Sequence, residues 1–162
     1  MRGYFAIGAE GISKPMNLGA LMRTAHAFGA SFVFSVRAAD KIKLAYKADT
    51  SKSFEHVPYY QWETIGDMVF PKGCQLVGIE LTPDAVELPT FRHPPAAAYV
   101  LGPEKGSLSD EMLERCSHVV KIPTKFCINV SLAGALVMYD RHVSMGGHAP
   151  RPIMPGGVKV DS

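Results

Sequence analysis

The sequence predicts a single α/β domain in which helices flank a largely parallel β-sheet. Three observations carry this expectation. Short apolar runs rich in β-branched and aromatic residues recur along the chain, segments with helical spacing stand between several of them, and Gly or Pro closes most of the segments.

Tyr4–Ala9 reads as a buried strand closed by Gly11 and Pro15. Asn17 suits the N-cap of a helix in which Leu18, Leu21, Met22, Ala25 and Phe28 share one face, and Gly29 ends it. Ser31–Val36 alternates aromatic and β-branched residues as a second strand. From Arg37 to Tyr60 periodicity is lost, which predicts a polar excursion with one helical turn and a short strand near Val57–Tyr60. Trp62–Phe70 predicts a helix ended by Pro71 and Gly73. Gln75–Leu81 and Ala97–Leu101 are strands, the first followed by a Pro-containing loop and the second by a Gly-Pro turn. Ser109 or Asp110 caps a helix through Arg115, with acidic residues at its positive end. His118–Lys121 is a short strand and Val130–His142 the closing helix. The Gly- and Pro-rich stretch that follows predicts an irregular or disordered tail, so the expected division is a domain over 1–144 and a tail over 145–162.

Composition limits the function classes. With 162 residues, 47% apolar and 20% charged, the chain fits an ordinary soluble domain. A net charge of +2 is too mild to announce a nucleic-acid partner, so any RNA contact needs a local patch. The densest basic stretch holds Arg37, Lys41, Lys43, Lys47 and Lys52, with Tyr46 available for stacking; an ordinary solvated loop fits equally well. No apolar run approaches the ~20 residues of a membrane helix. The opening MRGYFAIGAEG is broken too early by glycine for a signal peptide, and Cys74, Cys116 and Cys127 are scattered. Together these features lead us to expect a cytoplasmic protein with free thiols. His26, His56, His93 and His118 show no metal-ligand spacing and read as structural or surface groups, so no metal is expected.

In a parallel sheet, ligands gather at the carboxyl ends of strands, which selects the loops after Leu81, Leu101 and Ile122. The second of these, LGPEKGSLS, carries Gly102, Glu104 and Gly106, where backbone can approach a ligand closely. It is neither a Walker A loop nor a dinucleotide turn, and a plain structural turn fits it as well. The third leads into a helix that opens with the small polar residues Asn129 and Ser131. Arg23 follows Asn17 by six residues, about 600° around an ideal helix, so the two share no face unless Asn17 sits in the cap. Taken alone, they read as a solvated arginine and a capping asparagine.

Three segments, NLGALMRTAHAFG (17–29), LGPEKGSLSDEML (101–113) and KIPTKFCINVSLAGALVMYDR (121–141), resemble the three motifs of the SPOUT superfamily. Within it they are most similar to the SpoU/TrmH-like RNA ribose methyltransferases. The resemblance implies that Asn17 and Arg23 belong to the catalytic set, with Arg23 binding phosphate and orienting a ribose 2′-hydroxyl. A guanidinium stays protonated, so literal deprotonation by Arg23 is not expected. It implies that Glu104 holds the active-site loops and RNA in place, and it adds Asn129 to the catalytic set. The family's third motif usually reads Ser-Leu-Asn-Val-Ser; here Cys127-Ile128-Asn129-Val130-Ser131 puts a weak hydrogen-bonding thiol where a hydroxyl stands. A nucleophilic cysteine is the alternative reading of Cys127, without a supporting motif.

The same resemblance implies a C-terminal trefoil knot with S-adenosylmethionine bound in it. By position, the residues holding it are Leu81 or its neighbour Glu80, Gly102, Ile122 and Ile128. It further implies a homodimer whose sites combine loops from two subunits, and a minimal enzyme that methylates tRNA in preference to rRNA. Base-nitrogen methylation on the same fold and a non-catalytic cofactor- and RNA-binding protein are the alternatives. Setting the resemblance aside leaves a small flavodoxin-like binding domain.

Overall fold

The first strand, β1 (Tyr4–Glu10), is buried from Phe5 onward because it lies between two parallel neighbours with both faces covered. That explains why its sequence is a continuous apolar run and not an alternating one. The neighbours are β2 (Phe32–Val36) and β6 (Ala96–Leu101). Outside them stand β3 (Tyr59–Trp62) on one side and β4 (Gln75–Ile79), β7 (His118–Lys121) and the two-residue β5 (Val86–Glu87) on the other. The seven-stranded sheet has the order β3-β2-β1-β6-β4-β7-β5, and every pairing in it is parallel. This computed structural model describes residues 3–47 and 54–157.

Helices α1 (Pro15–Phe28) and α4 (Val130–Met145) pack together on one face, with Leu21, Met22, Val137 and Met138 meeting Ile7 and Tyr99. The other face is covered by α3 (Asp110–Arg115) and a short 3-10 turn, around Phe34, Val100 and Met112. The approach of α4 is close. A Cβ on Gly134 would stand 2.7 Å from a Leu21 methyl and 3.1 Å from one of Leu101, so a side chain there would force these leucines or the helix to shift. α2 (Asp40–Lys47) follows β2. Among the described residues, no helix is long and apolar enough to cross a membrane.

Several sequence expectations are corrected. Asn17 is not the N-cap: α1 begins at Pro15, whose fixed φ and missing N–H suit a first helical position, and Lys14 occupies the cap. Asn17 is a buried residue inside the first turn. Trp62–Phe70 is not a helix. Trp62 ends β3, and Thr64 and Asp67 form a reciprocal cap around the 3-10 turn Ile65–Asp67. The Arg115 guanidinium takes the carbonyls of Ile65 and Met68, which a continuing helix would need for itself. Trp62 and Phe70 instead join Phe32, Phe34 and Tyr60 in an aromatic cluster. The excursion after Arg37 holds two helical turns where one was expected. The loop after Leu81 carries β5 and a second 3-10 turn, Leu88–Thr90, and α4 runs three residues past His142. Residues 146–157 have neither helix nor strand, while Lys52 of the basic stretch lies outside the described residues.

At the amino ends of the strands α4 is fastened by Arg141, which is only 1% exposed. It donates to the carbonyls of Pro94, Pro95 and Tyr4 and to the Tyr99 hydroxyl. With its acceptor role taken by Arg141, the Tyr99 hydroxyl donates to His93 Nδ1, and His93 Nε2–H faces Asp140. Burial holds the imidazole below its usual pKa against the pull of Asp140, and the nearby guanidinium adds to the depression.

Candidate active site

The loops at the carboxyl ends of β1, β4, β6 and β7 enclose a cavity of about 320 Å³. That is the lower end of the range for small-molecule sites. Glu104, in the loop after β6, reaches back 91 residues to the start of α1. Its carboxylate accepts from Ser13 N–H at 3.0 Å, Ser13 Oγ at 3.1 Å, Lys14 N–H at 2.9 Å and Asn17 Nδ2 at 3.1 Å. Because a carboxylate only accepts, the Asn17 amide must turn its NH₂ toward Glu104 and its oxygen the other way. That oxygen accepts from Asn129 Nδ2 at 3.2 Å. The oxygen of Asn129 in turn caps α4, accepting from Ser131 N–H at 2.9 Å and Leu132 N–H at 3.3 Å. One hydrogen-bonded chain, Glu104–Asn17–Asn129, therefore joins all three sequence segments.

Partial burial pushes the Glu104 carboxyl up, but its hydrogen bonds from Asn17, Lys14 and Ser13 outweigh this and leave its pKa below the usual value. The stability that Glu104 contributes is thus fully present above the ordinary glutamate pKa, about 4.3, and is lost as pH falls through the lower folded value. Glu104→Gln would aim an NH₂ at groups that also donate. We expect it to lower unfolding free energy by about 1–3 kcal/mol at pH 7 and to flatten the loss of stability between pH 5 and 3. Urea titrations across that range check this; parallel curves for the two proteins would count against the role given to Glu104.

A second carboxylate ties two loops. Glu80, just past β4, accepts from Leu108 N–H at 2.7 Å and from Leu81 N–H at 3.2 Å. Gly102 lies beside it, where a Cβ would sit 3.4 Å from Leu108 N and 3.7 Å from the Glu80 carboxylate. Glu80, Leu81, Gly102, Ile122 and Ile128, together with Asn17, Glu104 and Asn129, all line the one cavity. Leu81, Ile122 and Ile128 give it partly open apolar walls, and Cys127 lies exposed on the same lining. Burial raises the pKa of both Cys74 and Cys116, the latter to about 11, so neither is a thiolate at neutral pH.

Arg23 stands apart. It is exposed on α1 about 240° around the helix from Asn17, and it is not among the residues lining the cavity. The four basic residues expected to meet RNA divide in two. Lys41 and Lys47 are exposed, whereas Arg37 is paired with Glu111 at 2.6 Å and Lys43 with Glu63 at 2.7 Å. Tyr46 is packed edge-on against Phe54 and Tyr59. Sequence reasoning missed Ser13 and Lys14, because the strand-end rule was applied to three loops and not to the turn after β1. It also missed Glu10, a buried carboxylate that accepts from the backbone and hydroxyl of Ser109 and so fixes the start of α3.

Comparison with known proteins fits this architecture. A family model described as the SpoU rRNA Methylase family matches residues 4–139. The tRNA (guanosine(18)-2′-O)-methyltransferase of Escherichia coli (strain K12) is 30% identical over 138 residues, covering 81% of this chain and 59% of that protein. The chain thus spans about three-fifths of the length of that curated relative. Among solved structures, an AdoMet-bound rRNA methyltransferase from Sinorhizobium meliloti superposes with a TM-score of 0.76 at 22% identity, covering 90% of this chain and 58% of that one. A structure described for the 2-OH methylation of C/U34 on tRNA gives a TM-score of 0.72 at 21% identity, covering 91% and 94%. With a matched span of this extent, laid over the hydrogen-bonded chain that joins its three segments, the protein belongs to the SpoU rRNA Methylase family.

Proposed function

We propose that the protein transfers a methyl group from S-adenosylmethionine to a ribose 2′-hydroxyl of RNA, with tRNA the favoured substrate. The observation that carries this is the Glu104–Asn17–Asn129 chain beside a cavity with apolar walls. Its residues suit the cofactor. Leu81, Ile122 and Ile128 offer apolar surface to a flat base, and the backbone around Gly102 is open to hydrogen bonding at close range. When bound, S-adenosylmethionine supplies an electrophilic methyl on a sulfonium that departs as a neutral thioether. The ribose oxygen would take the methyl carbon that the sulfur gives up, and the hydroxyl proton would pass to solvent water. The protein's share is proximity and orientation. Asn129 and Glu104 hold the loops in register, and Arg23, with its fork of donors, grips the phosphate beside the ribose and aligns the hydroxyl.

Arg23 fits this task in a second copy of the chain better than in its own. Met16, Ala20, Arg23 and Ala27 lie exposed along one face of α1, and on the adjoining α4 Leu132, Leu136, Tyr139 and Val143 repeat the same spacing. An apolar stripe of that length on one helix suits a self-complementary two-fold interface. Sedimentation should show a dimer that Leu132→Glu with Leu136→Glu converts to monomer; an unchanged mass for the double variant would place the interface elsewhere. The threading of a trefoil knot belongs to the same proposal. After β7 the chain must cross the carboxyl ends of β4 and β6 to bring α4 against α1. Stretching the protein by its two ends should then yield a contour shorter than that of an unknotted chain of this length. Free thiols at Cys74, Cys116 and Cys127 fit a cytoplasmic setting.

Incubation with labelled S-adenosylmethionine and bulk tRNA or rRNA, followed by nucleoside mass spectrometry, tests the reaction. A 2′-O-methylated nucleoside is expected; a methylated base, or no incorporation, would overturn it.

A further inference from the structure

We infer that RNA is gripped at the mouth of the cavity by Lys14, Lys105 and Lys125, from the turn before α1 and from the loops after β6 and β7, with Phe126 as the surface on which a base stacks. This rests on the function proposed above and names where its substrate docks. Lys14 lines the cavity, Lys105 stands between the lining residues Glu104 and Gly106, and Lys125 and Phe126 stand between Thr124 and Cys127. All three lysines are exposed, and among the described residues none makes an ion pair. The cavity's own carboxylates, Glu80 and Glu104, are turned to N–H donors of the surrounding loops and form no ion pair with the three lysines, whose ammonium groups are left for phosphate. Arg37 and Lys43, by contrast, would have to leave their glutamates to meet phosphate. Three cations around a pocket give a polyanion a local foothold that a net charge of +2 does not reveal.

Phe126 is 79% exposed, far more than packing would leave a phenyl ring. Its loop is held in place: Thr124 Oγ1 donates to the Phe126 carbonyl at 2.7 Å, and Thr124 N–H donates to the Ile122 carbonyl at 2.8 Å. The ring is presented on a fixed turn beside Lys125. An exposed aromatic next to cations is the combination that binds unpaired nucleotides, through stacking and phosphate contact together.

The test measures binding of bulk tRNA as a function of salt. Lys105→Ala with Lys125→Ala should weaken binding about tenfold and reduce the slope of log K against log salt by about 1.5, at roughly 0.7–0.9 per lost phosphate contact. Phe126→Ala should weaken binding by a similar factor, Phe126→Tyr should restore it, and Phe126→Leu should not. An unchanged slope in the lysine pair, or a larger change in Lys41→Ala with Lys47→Ala, would overturn the rim. Full binding by Phe126→Leu, or dissociation of the dimer in Phe126→Ala, would overturn the stacking role. Failure of the wild-type protein to methylate RNA would instead sink the proposed reaction, and the salt slopes would still judge the docking surface.

Discussion

Replacing Arg141 with methionine should lower the unfolding free energy by about 2–4 kcal/mol, among the larger stability effects expected of a single side chain here. The guanidinium is buried without a carboxylate within ion-pairing distance among the described residues. Its charge is met by the carbonyls of Pro94 at 2.7 Å and Pro95 at 2.8 Å, and by the Tyr99 hydroxyl at 3.0 Å. It also faces the rings of Phe5 and Tyr99, at 5.4 and 5.9 Å from their centroids. Methionine fills part of the space and donates to none of those acceptors: the Pro94 carbonyl loses its donor, while Pro95 keeps Tyr4 N–H and the Tyr99 hydroxyl keeps His93. Tyr99→Phe, which removes only one partner, should cost about 1 kcal/mol. The effect should also reach the cavity. Arg141 anchors one end of α4 and Asn129 caps the other, about 18 Å away along the helix. A loosened α4 would carry Asn129 out of reach of Asn17, and turnover should fall with stability. Denaturant titration that places the methionine variant within 1 kcal/mol of wild type would refute the anchoring role.

The parallel sheet was legible because buried strands write themselves as apolar runs. Tyr4–Ala9, Ser31–Val36, Gln75–Leu81 and Ala97–Leu101 all fall on strands, most within a residue or two of the observed ends. Periodicity misled at Trp62–Phe70, where Ile65 and Met68 keep a helical interval but point into a core that Arg115 has already fastened from below. The same spacing serves a helix turn or two separate insertions, and only the tertiary hydrogen bonds decide. Asn17 was found for the wrong reason. Its type suits a cap, yet it is its amide's ability to donate to one carboxylate and accept from another amide that fixes it inside α1. Cavity residues on three loops were legible through motif resemblance, whereas Ser13 and Lys14 gave no pattern at all. Their contribution is mainly backbone N–H, which every residue but proline carries. Arg141 continues the buried stripe Val130, Ala133, Val137 and Met138 at helical spacing, so its inward face was legible in the sequence; the carbonyls that accept from it, brought from other parts of the chain, were not.

Arg23→Ala should reduce methyl transfer by about 10²–10⁴-fold, to near background, while leaving cofactor affinity within about twofold of wild type by calorimetry. The side chain is exposed and, among the described residues, makes no ion pair. Stability should therefore change by no more than about 0.5 kcal/mol, and lost activity could not be blamed on unfolding. Arg23→Lys keeps the charge but not the planar fork, so it should recover only part of the rate. Mixing separates action in one subunit from action across two. Gly102→Val crowds the cavity beside Leu108 and Glu80, so it should block cofactor binding without touching Arg23. In a mixed dimer of the two variants, the Arg23→Ala subunit keeps an open cavity and its partner keeps the arginine. If Arg23 serves the neighbouring cavity, subunits exchanged at random should regain about a quarter of wild-type activity, since half the dimers are mixed and each carries one complete site. If Arg23 serves its own cavity, the mixture stays as inactive as either variant alone, and the interface drawn along α1 and α4 loses its catalytic meaning.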